Sequence, residues 1–299
     1  MINTLCLNEN YSTTKRLTQT KPDIEKTSET TLFLPSNKNR KDEGGLRSKG
    51  YFKTSYEDKP LITVITVVFN GEAYLEQTIR SVIEQGYDNV EYIILDGGST
   101  DGTINIIKQY DAYIDYWVSQ PDKGIYDAMN KAISLAQGVW INFMNAGDMF
   151  NTNTVLSEIY TDTEQYHDVD FIYSDTIFDG KSVSVCNIDV NAINHQSLIY
   201  RKDVHSEVGL YLVSKGLLIS DYLFFMLCKH KNWYKSSTII ANYDTNGISG
   251  NRYFIDHFKQ KVGVDLMFNN ISRKKASRAL ITYPLYKKIK NILKRFNRV

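Results

Sequence analysis

The run LITVITVVF, residues 61–69, constrains this chain more than any other feature. It is continuous, rich in β-branched residues, and bounded by Pro60 and Asn70-Gly71, which predicts a strand buried on both faces. Such a strand needs cover on each side, and the chain supplies it. Leu75, Ile79, Val82 and Ile83 mark one apolar helical face, with Gly86 past its end. VEYIIL then reads as a strand, TINIIKQY as a short helix, YIDYWVS as a third strand, IYDAMNKAISLA as a helix closed by Gly138, and VWINFM as a fourth strand. Strands alternating with helices of this length imply right-handed crossovers and a parallel sheet.

From about residue 151 the pattern loosens. A helix near 153–160, strands in VDFIYSD, SVSVCNI and HQSLIYR, a helix from Asp221 to about Lys229 and a strand in STIIANY predict mixed pairing. Residues 1–58 are rich in Thr, Ser, Asn, Lys and Glu, with TLFLP their only apolar cluster, and are expected to form a disordered polar arm. The length of 299 residues suits one large α/β domain. Its expected bounds are 59–270, with halves at 59–150 and 151–250, followed by a basic segment at 271–299.

The formal net charge of +1 conceals segregation. Residues 60–272 carry 14 basic against 26 acidic groups, whereas 273–299 carry 10 basic and none acidic. An acidic middle argues against a nucleic-acid-binding domain. Cys6, Cys186 and Cys228 lie far apart without CxxC spacing, so neither a zinc cluster nor a disulfide framework is suggested. No run reaches the ~18 apolar residues of a membrane span, and the polar N-terminus lacks a signal-peptide core. A cytoplasmic protein is expected.

In an open parallel sheet, ligands bind beyond the carboxyl ends of the strands. Those ends read Phe69-Asn70-Gly71, Asp96-Gly97-Gly98-Ser99-Thr100-Asp101-Gly102-Thr103, Gln120-Pro121-Asp122-Lys123-Gly124 and Asn145-Ala146-Gly147-Asp148. All are small or polar, and they should converge on one cleft. LDGGSTDGT matches neither GxGxxG nor GxxxxGK[ST], so the dinucleotide and P-loop readings lack their parts. Asp101 suits a helix cap. Asp96 ends an apolar strand at the cleft, where a carboxylate can accept from a base imide or a ribose hydroxyl.

The segments ITVVFNG, ILDGGSTDGT, PDKGIYDAMNKAI and NFMNAGD, in this order and spacing, resemble the family 2 glycosyltransferases of bacterial polysaccharide assembly. The resemblance is strong over residues 60–150 and looser to about 250. It implies the GT-A fold: a single Rossmann-like α/β domain, its mostly parallel central sheet flanked by helices, with a less regular acceptor-side half. It also implies an inverting hexosyltransferase-like activity. A sugar would pass from a nucleotide-sugar donor, expected to be UDP-linked, to a hydroxyl of a glycan or lipid-linked acceptor in lipopolysaccharide or capsule synthesis.

By the same resemblance Val67, Phe69, Asn70, Asp96 and Asn145 hold the nucleotide sugar, and Lys123 either neighbours it or is an exposed loop lysine. Family members commonly carry Asp-x-Asp at the fourth strand end; here Asn145 and Gly147 replace those acids. Asp148, helped by an amide oxygen of Asn145, is then the candidate ligand of Mg²⁺ or Mn²⁺, unless it only caps the loop. Asp221 falls where relatives place the general base, a position that also suits a helix cap. His195 and Gln196 fall near the acceptor or the diphosphate, although a lone His is commonly structural.

In PLYKKIKNILKRFNRV, Leu285, Ile289, Ile292, Leu293, Phe296 and Val299 fall at helical spacing among lysines and arginines. A helix here would suit either an anionic membrane, as a peripheral contact on the inner face, or docking to protein. Two other functions fit parts of the sequence. A nucleotidyltransferase would use a similar sheet but needs a basic triphosphate loop that is missing. A degenerate sugar-nucleotide-binding scaffold would explain the reduced acid motif.

Overall fold

The computed structural model describes residues 4–22, 30–161, 166–188, 192–244 and 254–282. In chain order the first half runs β1 (Asp42–Gly44), β2 (Ile62–Val68), α1 (Leu75–Ile83), β3 (Val90–Asp96), α2 (Thr103–Gln109), β4 (Tyr116–Ser119), α3 (Ile125–Leu135) and β5 (Trp140–Phe143). The second half adds β6 (Met149–Phe150), α4 (Val155–Ile159), β7 (Phe171–Tyr173), β8 (Thr176–Phe178), β9 (Ser182–Ser184), β10 (Leu198–Arg201), α5 (Val204–Val208), α6 (Ser220–Leu227), β11 (Trp233–Lys235), β12 (Ala241–Tyr243) and α7 (Phe254–Met267).

Eight strands form one sheet in the order β1-β4-β3-β2-β5-β10-β7-β11, and β6-β12-β8-β9 form a second. Within the large sheet β4, β3, β2 and β5 are mutually parallel. Every residue of β2 and β3 is buried, as the unbroken apolar runs require. Their side chains feed two cores by strand alternation. Ile65, Val67, Ile93 and Leu95 pack with α3 and α6, whereas Ile62, Val64, Tyr92 and Ile94 pack with α1. The GT-A expectation of a mostly parallel sheet between helices therefore holds, with mixed pairing confined to the edges and the second half.

The expected disordered arm is corrected. β1 pairs antiparallel with β4 and extends the large sheet, and Leu17, Leu32, Leu34 and Leu46 are buried. Arg47 is sunk in the fold, donating to Glu91 Oε1 at 2.6 Å, Leu135 O at 2.9 Å and Leu32 O at 3.0 Å. Ser12 Oγ reaches the carbonyls of Val82 and Ile83 at the end of α1. Counting apolar residues missed this because the segment is held largely by pairing its polar groups with those of a sheet edge and helix ends. The domain thus begins well before residue 59 among the described residues. At the other end a helix over 273–282 is described. The amphipathic pattern at 285–299 lies outside the described residues. Among those described, no helix is long and apolar enough to cross a membrane.

Candidate active site

Parallel pairing places the carboxyl ends of β4, β3, β2 and β5 along one edge of the sheet. A Cβ on Gly71 would lie 3.5 Å from that of Ala146, so the loops after β2 and β5 touch there. β10 runs antiparallel to β5, which brings the residues entering β10, His195 and Gln196, to the same edge. Asn142 fixes this junction by donating to the carbonyls of Gln196 and Leu198 at 3.1 and 2.9 Å.

Here lies a cavity of about 260 Å³, lined by Asn145, His195, Gln196 and Asp221 together with Tyr126 and His257. It is smaller than a site for a whole drug-sized ligand, ~300–1,000 Å³, so it suits one part of a substrate. Ile125, Tyr126 and Leu218 also line an adjoining groove of about 660 Å³ that includes Lys123, which is itself exposed.

Asp221 stands in the first turn of α6, with its side chain 26% exposed. Tyr126 Oη, from the first turn of α3, donates to Asp221 Oδ1 at 2.7 Å. His195 Nδ1 lies 3.3 Å from Asp221 Oδ2. Burial raises the Asp221 carboxyl pKa, but the hydrogen bonds and charge of His195 and the bond from Tyr126 outweigh it, leaving the pKa below the ordinary carboxylate value. Asp221 is therefore an oriented, ionised carboxylate facing a cavity. His195 is only 6% exposed, set edge-on against Phe143 and Phe225, and among the described residues its Nε2 has no hydrogen-bond partner. It is both a packed core ring and the neighbour of the candidate base.

The turn after β5 is closed by Asp148 N donating to Asn145 O at 2.9 Å. Thr78 of α1 pins it, accepting from Gly147 N at 2.9 Å and donating to Asp148 O at 2.8 Å. Asp148 is 4% exposed. Burial pushes its pKa up to about 7, against hydrogen bonds from the Asp244 amide and the Gln196 side chain. Asn145 Oδ1 is buried and, among the described residues, has no hydrogen-bond partner. An orphaned amide oxygen beside a buried acid fits a hard cation, which takes oxygen ligands. Among the described residues no cluster of three or more His, Cys, Asp or Glu gathers, so protein groups alone make no closed cage.

Val67, Phe69, Asn70 and Asp96 sit at the ends of β2 and β3 and do not line the cavity. Phe69 is 64% exposed. Asp96 is buried and spends its carboxylate within the fold, accepting from Ser99 N at 3.0 Å, from Ser99 Oγ and from Ser119 Oγ at 2.5 Å. It shapes the turn that follows it. Lys41, from the segment expected to be disordered, holds the same turn by donating to the carbonyls of Gly98 and Ser99 at 2.9 and 2.8 Å. A Cβ on Gly97 would stand 2.6 Å from Asp122 Oδ2 and 3.5 Å from Phe69, so Asp122 borders this end. Asp101 accepts from Thr103 N at 3.1 Å and Glu72 N at 3.1 Å, a local capping role.

Sequence reasoning missed Tyr126, His257 and Lys41; Asp122 was read only as part of a strand-end loop, and Asp244 only within NYDTNGISG, a segment that the resemblance sets near the acceptor and the diphosphate. Tyr126 lay within the quoted PDKGIYDAMNKAI, and a tyrosine at a helix start opposite a candidate base was a usable signal. His257 carried none, because only α7's placement brings it to the cavity.

Residues 63–184 match the family described as Glycosyl transferase family 2. An uncharacterized glycosyltransferase of Mycobacterium tuberculosis is 37% identical over 100 residues, 33% of this chain and 38% of that protein. The putative teichuronic acid biosynthesis glycosyltransferase TuaG of Bacillus subtilis is 36% identical over 104 residues, 34% and 41% of the two chains. The match thus spans well under half the length of each of these relatives. Among solved structures, Staphylococcus aureus TarS 1–349 in complex with UDP-GlcNAc superposes with a TM-score of 0.57 at 16% identity, covering 75% of this chain and 71% of TarS 1–349. The mannosyltransferase PcManGT of Pyrobaculum calidifontis, in complex with GDP-Man and Mn²⁺, gives 0.56 at 14% identity over 72% and 66%. These likenesses establish the GT-A fold.

Proposed function

Starting from a family 2 glycosyltransferase domain over residues 63–184, we propose that this chain transfers a sugar, with inversion, from a nucleotide-linked donor to a hydroxyl group of a glycan or lipid-linked acceptor in surface polysaccharide synthesis. The observation that carries the reading is Asp221, an ionised carboxylate fixed by Tyr126 and His195 in a cavity at the carboxyl edge of the sheet. Structures bound to UDP-GlcNAc and GDP-Man share the fold and support a nucleotide-sugar donor; the kinship with TuaG supports a cell-surface polymer as the product's destination.

The donor's nucleoside would lie along the ends of β2 and β3, where Val67, Phe69 and Asn70 meet the turn that Asp96 and Lys41 hold. Lys123 borders the adjoining groove. The acceptor hydroxyl would enter the cavity beside Asp221, which takes its proton as the oxygen attacks the anomeric carbon. The new bond is between that oxygen and the anomeric carbon, and the bond to the diphosphate breaks on the opposite face. His195 and Tyr126 keep the carboxylate ionised and aimed; Gln196 orders the turn through Asp148. A divalent cation, when bound, would neutralise charge on the departing diphosphate, and Asp148 with Asn145 would hold it.

A panel of nucleotide sugars tests this through release of nucleoside diphosphate. Asp221→Asn should abolish transfer with donor affinity kept within about twofold. Full turnover by that variant would remove Asp221 as the base. Pyrophosphate release from a nucleoside triphosphate would favour a nucleotidyltransferase, and donor binding without any turnover would favour a scaffold.

A further inference from the structure

The turn after β5 lacks an acid at position 147, and the structure shows what fills that space. Gly147 has φ +106°, and a Cβ built on it would stand 3.1 Å from Asp244 Oδ2. Asp244 follows β12, which pairs antiparallel with β6 through Ala241↔Phe150 and Asn242↔Met149 and so returns to the turn. There the Asp244 N–H donates to Asp148 Oδ1 at 2.9 Å. An acid at 147 would need an unfavourable backbone and would push the Asp244 carboxylate aside.

We propose that Asp244 supplies, with Asp148, the second carboxylate of a divalent-cation site, Asn145 adding its amide oxygen. The inference rests on the glycosyltransferase reading for its physiological setting, but it concerns this chain's own residues. Asp244 and Asp148 meet from strand ends distant in sequence, and Asn145 opens the same turn, its backbone carbonyl accepting from the Asp148 N–H. Among the described residues Asn145 Oδ1, which is buried, has no hydrogen-bond partner, the state expected of an oxygen reserved for a ligand. Two carboxylates, one of them buried in the fold, repel each other, and a hard dication relieves that repulsion. Small dications such as Mg²⁺ are typically held by one or two carboxylates, with substrate phosphates and water completing the shell.

Titration of Mn²⁺ into the full chain, followed by the electron paramagnetic resonance signal of free Mn²⁺ with and without UDP or GDP, tests the assignment. Wild-type protein should bind Mn²⁺. Asp244→Asn and Asp244→Ala should each weaken it at least about tenfold, while nucleotide affinity in EDTA and the thermal midpoint stay unchanged. Asp244→Asn keeps the backbone donor to Asp148 and serves if the alanine variant does not fold. Unchanged Mn²⁺ affinity in folded Asp244→Asn, or no Mn²⁺ bound to wild type, would overturn the proposal. A chain that binds Mn²⁺ through Asp244 yet transfers no sugar would instead sink the transferase reading.

Discussion

Tyr126 Oη donates to Asp221 Oδ1 at 2.7 Å, tying the first turn of α3 to the first turn of α6 across 95 residues of sequence. A hydrogen bond to a charged group is worth about 1.5–3 kcal/mol. If it orients the base, Tyr126→Phe should lower kcat by about tenfold or more with little change in KM. Its loss also removes one of the groups that hold the Asp221 pKa down. The acid limb of the kcat/KM profile should therefore move to higher pH in Tyr126→Phe, and further in a double variant with His195→Gln. Equal loss of rate at every pH would indicate a merely structural tyrosine.

What could be read from the sequence follows burial symmetry. β2 and β3 were legible because both their faces are apolar, and a continuous β-branched run has few other uses. The turn at Asn145–Asp148 was expected at the cleft because the topology brings strand ends together, and Asp221 by resemblance alone; the structure sets Asn145 and Asp221 on one cavity. The role of Asp96 was less legible: its carboxylate is spent on Ser99 and Ser119, a choice made by a serine on a neighbouring strand. β1 and the contacts of Arg47 were hidden, since they rest on pairing of polar groups that no hydrophobic pattern reports.

Arg47 and Glu91 form a buried ion pair at 2.6 Å, and the other oxygen of Glu91 accepts from Thr63 Oγ1 at 2.6 Å and Gln137 N at 2.8 Å. Removing one member leaves the other charge without compensation, a loss of about 3–5 kcal/mol. Arg47→Met should show this in urea unfolding, and removal of residues 1–58 should prevent folding of the remainder. A truncated chain that melts cooperatively at the wild-type temperature would restore the picture of a dispensable arm.

At Gly147 the backbone, more than the neighbouring side chain, sets the outcome. With φ at +106° an L side chain is strained, at about 1–3 kcal/mol, whereas the Asp244 carboxylate can swing aside. Gly147→Ala should lower the thermal midpoint by several degrees, and Gly147→Asp should displace Asp244 without improving Mn²⁺ affinity. Tighter Mn²⁺ binding in Gly147→Asp would show that an acid at 147 can replace Asp244.

His205 is buried against α6, its ring stacked on Phe224 with centroids 4.5 Å apart. Nδ1 lies 3.0 Å from the carbonyl of Gly209, so it carries the hydrogen, and Nε2 accepts from Tyr200 Oη at 2.9 Å. The neutral ring satisfies both contacts, and burial lowers the pKa from 6.5 to about 4. Between those values the unfolded chain binds more protons than the folded one, so stability rises with pH over that window and is level above it. Acidification from pH 6.5 to 4 should thus remove up to about 3 kcal/mol. Because α6 carries Asp221, transfer should fail in acid before the whole fold does. Thermal melts of His205→Gln across this range should lose most of the slope; a slope equal to wild type would assign the acid sensitivity to other groups.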